Sequence, residues 1–580
     1  MENKIAEVKF WCVNDGKQHT VPLGATLGEI STQWCSKVRD QKTGKTYPVL
    51  AALVDNKLKE LSYKLVNPSK VEFIGITDAD GRRCYIRSLG FVLQKVVRDL
   101  YPDNVLILDH NLPNGAYYEI HELSVDEDGK QDVHSIKDSD LERIKEEMLK
   151  IIDRDLPFTK EKMLSEDAIE IFKSNHQPLK AELLASLGKF SASVYSLGGI
   201  TDTFYGPLVP STGYLKVFSI MRYADGFCLQ SPKINDPETV SAPINQDKIA
   251  STLKTYSRWC ETIGINGVGT LNKIIQEGKA IDLINISEAL HEKEYARIAD
   301  EIYKKRHDVK VVLIAGPSSS GKTSSSLRLA LQLKVLGMNP KVIELDNYFV
   351  DRELTPKLEN GDYDFEHLHA MNLDLLNQQI NDMLAGKEVE LPKFDFKEGK
   401  SLPSGIRMSL KENDILMMEG IHALNPEMTS AVDDSRIFRV YASALTSLNL
   451  DENNNISTSD NRLLRRIIRD NRVRGITPEE TILRWHNVRM GEVRNIFPFQ
   501  ENADAIFNSA LLFELPMLKY FAMPLLLRIL PSSPAYTEAV RLIKFLGYMT
   551  PLQPSEIDAI PPTSIMREFI GGQTLSHTGL

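Results

Sequence analysis

Apolar residues fall into distinct rhythms along this chain. Val311–Ala315 is five apolar residues without a break, as in a strand buried on both faces, and Ser324–Val335 then places Leu327, Leu329, Ala330, Leu331 and Leu333 at helical spacing. Lys341–Leu345 and Asp414–Met418 are further short apolar runs. Strands alternating with helical patterns predict a parallel sheet with crossover helices. The start of the chain reads differently. Val8–Val13 and Gln18–Val21 flank Asn14-Asp15-Gly16-Lys17, and Asp-Gly between such runs predicts a hairpin. Thr26-Leu27-Gly28-Glu29 has the T-x-x-E form of a capping box, opening a helix predicted to run through Trp34 and Val38. Strands are expected near Pro48–Val54 and Val71–Ile74. Helices are expected at Phe91–Leu100, Asp140–Asp153, Ile281–Ile302 and across most of Leu511–Leu580. The most apolar stretch, Ala505–Leu530, is interrupted by Glu514, Pro516, Lys519, Pro524 and Arg528, so packed helices are expected there rather than a membrane span.

Composition narrows the class. The chain has 580 residues, 42% hydrophobic and 26% charged, which suits several globular cores. At roughly 150 residues per domain, three or four units are expected. The net charge of -10 opposes nucleic acid in bulk, so any RNA contact needs a local basic patch. Cys12, Cys35, Cys84, Cys228 and Cys260 form no C-x-x-C pair. That argues against a disulfide framework or a zinc ribbon and fits a reducing cytoplasm. The opening MENKIAEVKFW lacks the apolar core of a signal peptide, and a cytoplasmic protein is expected. No internal repeat is present. The nearest approach to low complexity is Asp451–Asp460, read as a polar loop.

Candidate chemistry begins after the Val311–Ala315 strand. Gly316, Pro317, Ser318, Ser319, Ser320, Gly321, Lys322 and Thr323 fit G-x-x-x-x-G-K-[ST]. The glycines let backbone N–H groups turn onto phosphate oxygens, and Lys322 can reach the β- and γ-phosphates. The Thr323 hydroxyl can ligate Mg²⁺, and the helix that follows directs its positive end at the anion. The alternative is a Gly/Ser-rich turn, but the flanking strand and helix are those a phosphate loop needs. Asp346 ends the second predicted strand, and in parallel α/β sheets ligands sit at the carboxyl ends of strands. A carboxylate there can accept the proton of an attacking hydroxyl; otherwise it caps the next segment. Arg462, Arg465, Arg466 and Arg469 recur at helical spacing, with Arg472 and Arg474 just beyond. They form either a solvated basic face or, in an acidic chain, a surface for an anionic partner.

Together these residues resemble the uridine kinase and phosphoribulokinase family. The resemblance rests on the phosphate loop, Asp346-Asn347-Tyr348-Phe349, Tyr363-Asp364-Phe365-Glu366-His367, Leu391-Pro392-Lys393-Phe394-Asp395-Phe396, Glu419-Gly420-Ile421-His422, and the lid-like Arg465-Arg466-Ile467-Ile468-Arg469-Asp470. It covers about 309–500. It implies Asp346 as base with Lys322 catalytic, and Arg465, Arg466 and Arg469 over ATP. It also implies Thr323 and Glu419 at Mg²⁺, and Tyr348, Glu366, His367, Phe394 and Arg474 toward the acceptor. Departures fall on the acceptor side: Glu366 stands where the family usually has Asp, Phe394 lacks the family's hydroxyl, and the motif is rewritten after Arg474. His367 and His369 could form a metal pair, or His367 matches the family's own His.

The first 235 residues resemble the TGS domain and the second N-terminal domain of threonyl-tRNA synthetases. The likeness is carried by Gly81-Arg82-Arg83, Ser88, Tyr101-Pro102, Asn114 through Glu119, Asp155-Leu156-Pro157 and Tyr205 through Gly213. The family's editing site uses an H-x-x-x-H pair, a Cys and a His; the matching positions here are Arg87, Phe91, Phe204 and Leu208. None of the four can relay protons as those side chains do, so ester hydrolysis is not expected. With no aminoacylation domain downstream, a synthetase is not expected either.

The expected fold is multidomain α/β and α+β. A TGS-like β-grasp domain spans 1–75, an editing-like α+β domain 76–235, a helical connector 236–305, a P-loop parallel α/β kinase domain 306–510 and a helical extension 511–580. The expected function is an ATP- and Mg²⁺-dependent kinase acting on a small hydroxyl substrate, foremost the 5′-hydroxyl of a nucleoside. The alternative is an ATP-dependent RNA-binding or regulatory module. No membrane partner is expected, and an oligomer is open.

Overall fold

The computed structural model describes residues 6–112, 115–125, 131–241, 246–358 and 361–576. Met1–Ile5, Asn114 and the last four residues of the C-terminal helical reading lie outside the described residues.

The chain opens with a five-stranded sheet in the order Lys17–Pro22, Glu7–Cys12, Ser69–Ile74, Ala51–Val54, Lys57–Lys59. Its first and last long strands, Glu7–Cys12 and Ser69–Ile74, run parallel. The helix Leu27–Trp34 buries Leu27 and Ile30 in the same core as Val8, Phe10 and Phe73. The capping box at Thr26 forms, with Glu29 accepting the Thr26 N–H at 2.8 Å. The helix stops at Trp34, earlier than its pattern suggested. Trp34 packs edge-on against Phe10 at 5.8 Å, which uses up the apolar face, and β-branched Val38 pairs with Tyr47 in a short hairpin. The predicted strand Pro48–Val54 is two strands, Thr46–Pro48 and Ala51–Val54.

A second sheet joins Gln131–Val133, Gly115–Val125, Gly226–Gln230 and Ser219–Tyr223, with Asn104–Leu112 also paired to Gly115–Val125. The helices Ala79–Leu100 and Asp138–Asp153 cover it, burying Phe91, Val92, Ile144 and Met148 against Tyr118 and Phe227. A three-stranded sheet, Thr159–Leu164, Ser191–Leu197 and Ile200–Asp202, follows.

The third large sheet is parallel throughout, in the order Asn339–Glu344, Asp414–Glu419, Val311–Ala315, Ile437–Ser443, Ala505–Asn508. Val311–Ala315 lies at its centre, and all five of its side chains are buried. One hydrophobic core takes Ile284 and Tyr295 from the long helix Ala280–Lys304, Val312 and Ile314 from this sheet, and Met517, Leu542 and Phe569 from the C-terminal helices. Helices on both faces explain why the central strands read as unbroken apolar runs.

The polar Asp451–Asp460 segment is a loop leading into the helix Thr458–Arg469, as its composition suggested, but part of it is buried. Asp451, Glu452 and Asn454 are buried at a joint with the N-terminal half. Glu452 accepts the N–H groups of Leu179 (2.7 Å) and Lys180 (3.2 Å), and Asn453 donates to the Leu106 carbonyl (3.1 Å). The reason is that Lys180, fully buried beside Asp202 and 3.6 Å from Asp451, needs carboxylate partners. No helix among the described residues is long and apolar enough to cross a membrane.

Candidate functional site

The loop Gly316–Thr323 leaves the central strand and enters the helix Lys322–Val335. Its backbone shape is specific. Ser319 (φ +59°) and Gly321 (φ +85°) are left-handed, a conformation that turns successive amides toward one point. A Cβ at Gly316 would collide with the Ala442 carbonyl, and one at Gly321 would lie 2.7 Å from Ile565. The Ser319 and Ser320 hydroxyls are buried with no hydrogen-bond partner among the described residues. Orphaned donors at a helix N-terminus fit a phosphate group. Thr323 donates to Glu419 Oε1 at 2.6 Å.

Three carboxyls gather around Lys322. Asp346 follows the strand Asn339–Glu344 in a single turn of 3-10 helix and stays accessible to solvent. Glu419 ends the neighbouring strand, in register with Ile314 and Glu344. Glu366 packs against Gly491. Desolvation by the surrounding protein, which Asp346 feels although its side chain still reaches solvent, raises all three carboxyl pKa values, Glu419 and Glu366 to about 7. Lys322 counters that rise in each case, while Asp346 adds to it at the two glutamates. Anionic oxygens short of a counter-charge suit a divalent cation. Among the described residues no three His, Cys, Asp or Glu converge closely enough to hold a metal alone. A cation sharing Thr323, Glu419, water and phosphate oxygens is the arrangement Mg²⁺ favours.

The arginines lie on the helix Thr458–Arg469 and the π-turn Asp470–Arg474. The helix arginines are not a solvated face: Arg462 and Arg465 are 1% and 0% exposed, whereas Arg472 and Arg474 lie exposed beyond the helix. Arg462 forks onto Glu492 and donates to the Ser318 carbonyl at 3.0 Å. Arg465 forks onto Glu514, donates to the Ser509 carbonyl (2.8 Å) and reaches the Ser319 carbonyl at 3.4 Å. Arg466 donates to the Ser318 hydroxyl at 2.7 Å and pairs with Asp470 at 3.2 Å. Arg469 and Arg474 also pair with Asp470, at 3.0 and 3.4 Å. Glu492 further accepts the Ser318 N–H at 3.2 Å. The helix therefore grips the phosphate loop from outside, with two buried ion pairs as its fixings.

On the acceptor side, Tyr348 is a core residue whose hydroxyl donates to Gln379 at 2.8 Å. Phe394 is buried in an aromatic group with Phe349 (5.5 Å) and Phe396 (5.1 Å). His367 caps a short turn by accepting the His369 N–H at 3.1 Å. His422 is buried with neither ring nitrogen partnered among the described residues, and burial lowers its pKa to about 4. Glu492 and Glu514 were missed from the sequence, since nothing local marks an acid on a distant helix as an arginine's partner.

Upstream, Arg87, Phe91, Phe204 and Leu208 do gather. Phe91 and Phe204 meet edge-on at 5.2 Å, and Leu208 is buried. Arg87 lies 5.3 Å over the Tyr205 ring and donates to the Pro207 carbonyl.

Comparison with known proteins agrees with both halves of this picture. Residues 311–512 match the model of the Phosphoribulokinase / Uridine kinase family, and the all-parallel five-stranded sheet is typical of a P-loop kinase. The N-terminal part is similar to threonine–tRNA ligases. The ligase of Desulforamulus reducens is 32% identical over 223 residues, 38% of this chain and 32% of the ligase. That of Acetivibrio thermocellus is 30% identical over 217 residues, 37% and 31% of the two chains. This chain thus spans about a third of the length of the ligases it matches. A solved structure described as a possible uridine kinase from Bacillus stearothermophilus is 24% identical, covering 23% of this chain and 70% of that one. Its TM-score, 0.20, is too low to carry any inference.

Proposed function

We propose that this chain, whose residues 311–512 form a Phosphoribulokinase / Uridine kinase family domain, is an ATP-dependent kinase that phosphorylates a hydroxyl of a small molecule, foremost the 5′-hydroxyl of a nucleoside. The observation that carries the reading is Asp346: an accessible carboxylate at the carboxyl end of a strand, electrostatically coupled to Lys322 of the phosphate loop. A nucleotide switch needs no such base.

ATP with Mg²⁺ supplies the transferable γ-phosphoryl group and a Lewis acid on its oxygens. Backbone amides of Gly316–Thr323 and the Ser319 and Ser320 hydroxyls hold the phosphates, while Thr323 and Glu419 hold the metal. Asp346 orients the acceptor hydroxyl and takes its proton. Lys322 and Arg466 neutralise charge that builds on the moving oxygens, and Arg465 and Arg469 position the lid helix. Glu366, His367, Phe394 and Arg474 face the acceptor, with Tyr348 supporting them from the core. The five-domain division, with the connector at 236–305 and the extension at 511–580, belongs to the same proposal. So does a cytoplasmic location, supported by five free cysteines.

The test is product formation from ATP and Mg²⁺ with a panel of nucleosides, ribulose 5-phosphate and pantothenate. A second reading has one observation in its favour. The buried Asp451–Asn454 turn joins the N-terminal half directly to the arginine helix on the loop, a route by which nucleotide could control RNA binding. ATP hydrolysis stimulated by tRNA, with no phosphorylated product from the panel, would favour it.

A further inference from the structure

A cleft of about 580 Å³ opens where four parts of the chain meet: the Lys57–Lys59 strand, the paired strands Thr159–Leu164 and Ser191–Leu197 with the helices between them, the segment around Phe204–Pro207, and the helix Tyr536–Leu546. That volume falls within the roughly 300–1,000 Å³ of small-molecule sites. None of the Gly316–Thr323 loop contributes to it.

Its charge is one-sided. Lys59, Lys160, Lys189 and Lys544 line it against a single acid, Glu60. Glu60 is already engaged, accepting from Lys160 and from the Tyr195 hydroxyl, each at 2.8 Å. Arg87 adds a fifth cation behind the Gly206–Pro207 wall. Lys59 and Lys544 form no ion pair among the described residues. Burial depresses the pKa of both, and the neighbouring cations depress it further. The ammonium groups stand over aromatic faces: Lys59 is 4.5 Å from the Tyr63 ring, Lys160 5.2 Å from Tyr195, and Lys189 5.8 Å from Tyr548. Rings hold cations in place without neutralising them. The cleft thus assembles like charges that repel one another beside aromatic walls.

We propose that this cleft binds a small organophosphate of mononucleotide size, its phosphate dianion among Lys59, Lys544 and Lys160 and its ring against the tyrosines. Phosphate oxygens meet several ammonium groups at once, and aromatic walls accept a planar base. A polyanion such as RNA is the less suitable occupant. The chain carries a net charge of -10, and these cations are confined to one concavity. The site stands whether or not the phosphate loop catalyses transfer.

The experiment is calorimetric titration of UMP, uridine and inorganic phosphate into the full chain carrying Lys322→Ala, which cripples the phosphate loop. UMP is expected to bind saturably and more tightly than either of its halves. Adding Lys59→Met and Lys544→Met should weaken UMP binding by about tenfold or more, and Lys544→Arg alone should preserve it within about threefold. Melting curves of the variants should match the parent's. Absence of UMP binding, or UMP binding unmoved in a normally melting Lys59→Met/Lys544→Met protein, would overturn the proposal. So would a short ribooligonucleotide that binds the cleft more tightly than UMP. Loss of kinase activity in the panel above would leave these titrations unaffected, so the two readings fail separately.

Discussion

At the scale of single residues, Asp346 and Glu366 have environments that make separate, checkable demands. Asp346→Asn keeps the shape and removes the base. Phosphoryl transfer should fall by about 10²–10⁴-fold while ATP binding, measured by titration, stays within a few-fold. Normal turnover would show that another group takes the proton. Glu366 sits half-buried, and burial with the nearby Glu492 raises its pKa to about 7 against the pull of Arg466 and Lys322. Its ionised form, the one that accepts a substrate hydroxyl, fills in as pH rises through 7. The acid limb of kcat/KM should therefore climb across that range, and Glu366→Gln should move the limb to lower pH. A limb unchanged in Glu366→Gln would remove Glu366 from the acceptor site. Residues of this kind are legible in sequence when the chemistry is contiguous, as in Gly316–Thr323. Arg465 shows the limit. Its type and spacing were plain, yet its partner Glu514 lies 49 positions away on a different helix, and only packing brought them together.

At the scale of elements, the helix Thr458–Arg469 is fixed by buried ion pairs as well as by Leu463, Leu464, Ile467 and Ile468, which it buries in the core. Glu514→Ala would leave the Arg465 guanidinium buried without a counter-charge, a loss of about 3–5 kcal/mol. Because Arg465 also contacts the Ser319 carbonyl and Ser509, ATP affinity should fall with stability; thermal melting and nucleotide titration read the two. The Asp451–Asn454 turn behaves differently. There, Asp202, Asp451 and Glu452 share one buried ammonium, Lys180. Burial raises Asp202 to about 6 and Glu452 to about 7, from reference values of 3.8 and near 4.5. The folded joint thus keeps protons that the unfolded chain has released. Its stability is fullest below about pH 4 and falls as pH rises to about 7. The melting temperature should drop between pH 5 and 7.5, and the drop should be smaller in Glu452→Gln. Equal slopes in the two proteins would place the titrating group elsewhere.

At the scale of the whole molecule, the halves interlock. The N-terminal Arg83 pairs with Glu538 of the C-terminal helix at 3.1 Å, and Arg541 of that helix pairs with Asp460 at the start of the arginine helix at 2.6 Å. Phe569, near the chain's end, is fully buried and lies under Arg465 at 5.2 Å. Phe569→Ala should cost about 3–5 kcal/mol and, by loosening Arg465, weaken ATP binding as well, read by melting and by titration. Unchanged ATP affinity in a destabilised variant would mean that the C-terminal helices support the core without reaching the loop. Patterning anticipated the central strand Val311–Ala315, the helix after it and the helical C-terminus, because local periodicity reports which face of an element is buried. It ran the helix past Trp34 and gave no sign that the polar Asp451–Asp460 loop is partly buried, because neither residue type nor period says what an element packs against.

The phosphate loop, the two strand-end carboxyls and the two likenesses were all present in the order of residues, since each depends on side chains a few positions apart. The mutual arrangement was not. Which acids neutralise Arg462 and Arg465, that a polar run becomes a buried joint, and that lysines from distant segments crowd one cleft are consequences of tertiary packing. Burial turns a charge from a surface feature into one that must find a partner, and the partner is chosen by three-dimensional proximity rather than by position in the chain.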